Sequence, residues 1–144
     1  MSNRFHRVVR QLRNRYGDRP PLTIEDEYDF QYLLHALLNL YFDDIRPEEW
    51  TPSYAGGHSR IDFLLKNEKT LIELKRTRES LTGKHIADQL IIDIDRYKVH
   101  PDCESLFCFI YDPEARISNP SGLENDLSKS ENGFEVIVRV RPNI

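Results

Sequence analysis

The sequence predicts an α/β domain with a mixed central β-sheet flanked by helices. Three observations lead there. Two apolar-rich runs, residues 60–65 and 70–76, flank the polar tetrapeptide Lys66-Asn67-Glu68-Lys69, the pattern of a β-hairpin with a short turn. A continuous apolar run, SLFCFIY at 105–111, suits a strand covered on both faces. Helical periodicity lies on either side of these runs, which gives the order helix, helix, strand, strand, helix, strand, short helix, strand.

The elements follow from the chain in order. Residues 1–19 interleave Arg4, Arg7, Arg10 and Arg13 with Phe5, Val8, Val9, Leu12 and Tyr16 at helical spacing. Gly17 and Pro20-Pro21 stop that amphipathic helix, so residues 1–19 read as a basic N-terminal arm and 20–144 as the body. Thr23 and Asp26 resemble a capping box, and the helix they start runs to about Phe42 on Ile24, Tyr28, Leu33, Leu34, Leu37, Leu38 and Tyr41. Glu27, Gln31, Leu34 and Leu38 share one stripe of it. Residues 43–60, with two prolines and Gly56-Gly57, read as a loop, with Trp50 and Tyr54 pinning it to the core rather than stacking on bases. After the hairpin, Gly83 opens a helix over about 84–98 with Ile86, Leu90, Ile94 and Tyr97 on its apolar face and Gln89, Asp93 and Tyr97 at successive i+4 steps. A short helix near 123–130 and an alternating strand at 134–140 complete the chain.

Composition narrows the class. A chain of 144 residues, 39% hydrophobic and 31% charged, suits one soluble domain with a single core. No apolar run reaches the roughly 18–20 residues of a membrane span, and the polar, arginine-rich start lacks the apolar core of a signal peptide. The expected location is therefore the cytoplasm, without membrane association. Cys103 and Cys108 fit neither CxxC nor a disulfide framework and read as two small buried thiols. The net charge of −4 argues against a generally basic nucleic-acid binder, but six arginines against Asp18 in residues 1–19 set a basic arm before an acidic body.

Chemistry concentrates in the hairpin. With the turn centred on Asn67 and Glu68, Asp62 falls opposite Glu73, and like charges so placed destabilise a sheet. Lys75 projects from the same face as Glu73, because strand side chains alternate. Asp62 interrupts IDFLL and Glu73 interrupts LIEL, and charges embedded in apolar strands are seldom left unpartnered. Two acids and one amine thus surround one point and call for a cation.

An Asp near the end of one strand with Glu-x-Lys on the next, here Asp62 and Glu73-Leu74-Lys75, resembles the PD-(D/E)XK nuclease superfamily. Ile61 stands where that family's proline would be. The element order resembles the restriction-endonuclease-like core over about residues 23–141. ESLFCFIYDPE, after DQLIIDIDRYKVHPDC, looks most like restriction-endonuclease-type domains of the MboI kind, found in bacterial restriction and phage-defence proteins.

The resemblance implies a Mg²⁺- or Mn²⁺-dependent endonuclease acting on DNA. Asp62, Glu73 and the Leu74 carbonyl would hold the ion, and Lys75 would steady the attacking water or the developing phosphate charge. Gln89, in the DQL of the following helix, would orient Lys75 or the phosphate. Glu27 is either a further metal ligand or simple dipole complementarity at a helix start. Arg60, Arg76, Arg78 and Lys84 are the candidate nucleic-acid contacts. His58 either approaches the scissile phosphate or lies on the surface. The arginine arm either contacts phosphates or docks its apolar side on the body. Because one site cuts one strand, paired cuts imply a homodimer. Two alternatives remain: a silent binding or assembly module on the same fold, and an effector nuclease that a partner protein must oligomerise.

Overall fold

The computed structural model describes residues 1–51 and 60–143. Its strands are β1 (Ile45–Trp50), β2 (Arg60–Leu65), β3 (Thr70–Arg76), β4 (Ser105–Tyr111), β5 (Lys129–Glu131) and β6 (Phe134–Arg141). They form one sheet in the order β1-β2-β3-β4-β6-β5. The hairpin pairs are antiparallel, whereas β3, β4 and β6 run parallel. Parallel neighbours need crossovers, which helices α3 (Gly83–Tyr97) and α4 (Pro120–Leu127) supply. Helices α1 (Ser2–Leu12) and α2 (Glu27–Leu38) cover the opposite face. The mixed sheet between helical layers is the architecture the sequence predicts.

The sheet's alternation divides the core. On one face Leu71, Leu106, Cys108, Ile110, Val136 and Val138 pack with Ile86, Leu90 and Ile94 of α3. On the other, Ile72, Leu74, Phe109 and Tyr111 pack with Phe30 and Leu34 of α2 and with Phe5 and Val9 of α1. The Phe5 ring meets those of Phe30, Phe109 and Tyr111 edge-on at 5.1–5.3 Å. The arginine-rich helix is therefore docked on the body along its apolar side.

Several expectations need correction. The segment read as a loop holds strand β1, paired with β2 from Ile45↔Leu65 to Trp50↔Arg60. Its Pro47 cannot donate to a ladder, which an edge strand tolerates, and its charges hide the apolar alternation. Trp50 is 63% exposed and does not pin anything to the core, while Tyr54 and His58 lie outside the described residues. Helix α2 is capped by Asp26, which accepts from the Asp29 N–H at 2.9 Å, rather than by Thr23, and it ends at Leu38. Tyr28 and Tyr41 are exposed, off the buried stripe. The short helix starts at Pro120, and β5 was not anticipated. Both cysteines are free thiols, Cys108 fully buried.

Candidate active site

The hairpin ladder runs from Leu65↔Thr70 to Phe63↔Ile72, the register expected from its turn. One step further on, the Asp62 side chain takes over the pairing. Its Oδ2 accepts from the Leu74 N–H at 2.7 Å, and its Oδ1 accepts from Gln31 Nε2 of α2 at 2.8 Å. On the β1 side the ladder skips Glu48, whose backbone is left-handed at φ +56°. A non-glycine residue in that region is uncommon and marks an irregular strand. Regular pairing is thus lost on both sides of Asp62.

From β3, Glu73 and Lys75 point toward α3, the same face as Leu71. Glu73 Oε1 lies 3.2 Å from Lys75 Nζ, and its Oε2 accepts from the Tyr97 hydroxyl at 3.1 Å. Lys75 also faces Asp93 at 3.7 Å. Asp93 and Tyr97 sit four residues apart on α3, so one helix stripe supplies both. Glu27, at the first turn of α2, accepts from the Arg76 N–H at 3.2 Å and ties that helix start to the end of β3. A cleft of about 360 Å³ opens over this cluster, lined by Glu27, Gln31, Asp62 and Glu73, with Glu48, Arg60 and Arg78 at its rim.

Four carboxyl groups therefore surround one buried amine. Burial, opposed by the Leu74 N–H and reinforced by Glu27, pushes the Asp62 carboxyl up to about 7. Burial and then the Asp62 charge hold Glu73 well above the ordinary carboxylate range. Asp93 is also raised by burial, partly offset by Lys75 and Arg96. Burial opposes the Lys75 charge, yet Glu73, Asp93 and Glu27 overcome it and keep its pKa above the usual value. The site carries more acid than its own cation balances. An oxygen-only set of this kind suits a hard divalent ion such as Mg²⁺ or Mn²⁺. Among the described residues, no three His, Cys, Asp or Glu side chains form a ready cage, so any ion would need further oxygen ligands.

The remaining sequence-derived candidates divide. Leu74 is buried and meets Asp62 through its N–H. Arg60 and Arg78 reach the cleft rim. Arg76 spends its guanidinium inside the protein, on the Ile24 and Thr77 carbonyls and on Glu114. Lys84 lines a separate depression between α3 and α4. Gln89 is exposed at the outer end of the α3 stripe, one turn beyond Asp93. The glutamine that touches a site carboxylate is Gln31. Its signal was its place on the Glu27 stripe, and that of Asp93 was its i+4 step from Gln89. A family model described as REase_DpnII-MboI matches residues 1–143. No curated protein matches the chain.

Proposed function

The chain belongs to the DpnII-MboI restriction endonuclease family, and from that premise we propose that its cleft hydrolyses DNA phosphodiester bonds with the help of a divalent metal ion. One observation carries the proposal: half-buried Asp62 and buried Glu73, short of positive charge, adjoin where β2 and β3 part. Asp62, Glu73 and the Leu74 carbonyl would hold Mg²⁺ or Mn²⁺, and Glu27 would be available to a second ion. When bound there, such an ion would supply Lewis acidity toward the scissile phosphate.

The chain's own residues do the rest. Gln31 and the Leu74 N–H fix both oxygens of Asp62, so the carboxylate is oriented before substrate arrives. Tyr97 does the same for Glu73 from α3. Lys75, only 14% exposed, presents a charge that Glu73 and Asp93 keep protonated, beside the position of a phosphate oxygen. Gln89, at the mouth of the α3 row, meets substrate rather than Lys75. Arg60 and Arg78 follow the phosphate backbone at the rim, Lys84 lies further out, and Arg76 acts indirectly by anchoring the approach to α2. The setting is restriction of foreign DNA in the cytoplasm, and two copies would make paired cuts.

Supercoiled plasmid incubated with the protein and Mg²⁺ or Mn²⁺ tests this. Nicked or linear product that vanishes with EDTA and in Asp62→Ala is the expected result. Cleavage that survives in Asp62→Ala would place the chemistry elsewhere, and stable binding without cleavage would favour a silent binding module.

A further inference from the structure

Trp50 is the only tryptophan in the chain and ends the edge strand β1 with 63% of its surface in water. An indole left so exposed forgoes the burial that large aromatics ordinarily gain, and tryptophan is enriched where an aromatic face meets a partner. It is also held in place. The Arg60 guanidinium lies over the ring at 5.5 Å from its centroid, and Trp50 and Arg60 are register partners across β1 and β2. Arg60 is kept there from its other side by Glu48, at 3.6 Å. Glu48 is the residue whose left-handed backbone interrupts β1 opposite Asp62. Glu48 thus adjoins both the break in the ladder beside Asp62 and the Trp50–Arg60 pair.

The pair is continuous with the cleft. Arg60 stands two residues before Asp62 on one strand, roughly 6–7 Å along it, and lines the same opening as Arg78. A flat π surface backed by a guanidinium, beside a second arginine and next to a phosphodiesterase centre, has the chemistry of a nucleobase contact. Base–aromatic stacking with a neighbouring cation for the phosphate is how nucleic-acid grooves hold a strand. The described group over the indole is a guanidinium, which suits a nucleic-acid strand better than an apolar protein surface.

We propose that Trp50 stacks on a base of the bound DNA while Arg60, held over its ring, contacts the adjoining phosphate, so that the two together place the strand over Asp62 and Glu73. This rests on the nuclease reading of the cleft. Trp50 is a positioning residue and takes no part in the bond-breaking step.

Its emission reports the contact directly. The wild-type chain, with Ca²⁺ in place of Mg²⁺, is titrated with a short oligonucleotide, as a single strand and as the duplex. Binding is followed in parallel by anisotropy of a label on the DNA. Saturable quenching of Trp50 with the midpoint of the anisotropy curve is expected for at least one of the two forms. Trp50→Ala should weaken that binding about tenfold, the scale of one lost stack, and raise KM for cleavage far more than it lowers kcat. Trp50→Phe should stay within about threefold of wild type, since a ring remains. DNA bound with Trp50 emission unchanged, and bound equally well by Trp50→Ala, overturns the proposal while leaving the nuclease intact. A chain that neither binds nor cuts DNA removes both readings together.

Discussion

The two ends of the β2–β3 hairpin use similar residues to opposite effect. At the turn end the strands pair regularly through Leu64↔Leu71 and Leu65↔Thr70. Its charges meet in pairs that are half-buried or exposed, Lys66 with Asp102 and Lys69 with Glu104. At the open end the ladder yields to the Asp62 side chain, and Glu73 and Asp93, with Glu27 and Asp62 close by, act on the largely buried amine of Lys75. Charge alone does not distinguish the ends. Burial and imbalance do, because a buried carboxylate without a matching cation costs free energy that an exposed pair never incurs.

Removing the amine should break the comparison most visibly. Lys75→Ala leaves the site's carboxyl groups without their cation, and a loss of about 3 kcal/mol is expected at pH 8 without metal, read by urea unfolding. A loss no larger than that of a surface lysine would show that the carboxylates are not mutually strained.

The next effect has a definite sign with pH. An acid whose native pKa lies above its unfolded value stabilises the fold fully below about pH 4, and that contribution is lost as pH rises through the native value. For Asp62 the window ends near 7, and Glu73 and Asp93 shift in the same direction. Metal-free protein should therefore be less stable at pH 8 than at pH 5. Asp62→Asn should recover about 2 kcal/mol at pH 8 and flatten the profile, since an amide can still accept from the Leu74 N–H while the Gln31 amide turns to meet it. A steeper profile in Asp62→Asn would contradict the assignment.

The smallest effect belongs to the turn end. Lys66→Ala should cost less than about 1 kcal/mol, because the Lys66–Asp102 pair is only half-buried and open to solvent. A cost matching that of Lys75→Ala would erase the contrast between the two ends.

Much of this was legible in the sequence wherever period and burial agree. The hairpin register followed from its turn, and β4 and β6 from an apolar run and a clean alternation. The apolar face of α3 followed from Ile86, Leu90, Ile94 and Tyr97, all buried. Strand β1 was hidden because an edge strand bearing Pro47, Glu48 and Glu49 has little apolar alternation to detect. With β1 unseen, Trp50 read as a loop anchor rather than an exposed ring. Three-residue β5, wholly exposed, carries no pattern at all. In the site, alternation put Glu73 and Lys75 on one face and the turn register put Asp62 opposite Glu73, but the ladder stops one step short of that pair and Asp62 bonds the Leu74 N–H instead. Gln31 and Asp93 were not assigned, because which member of a helix stripe reaches a strand depends on how deeply the helix is seated.

Binding of Mn²⁺ to the protein at pH 6, followed calorimetrically for wild type and Glu73→Gln, tests most directly whether the acid-rich end of the hairpin is a metal site. Wild type should bind the ion with release of protons from the raised carboxyl groups, and Glu73→Gln should lose that binding while remaining folded. Equal binding and equal proton release in both proteins would contradict the account.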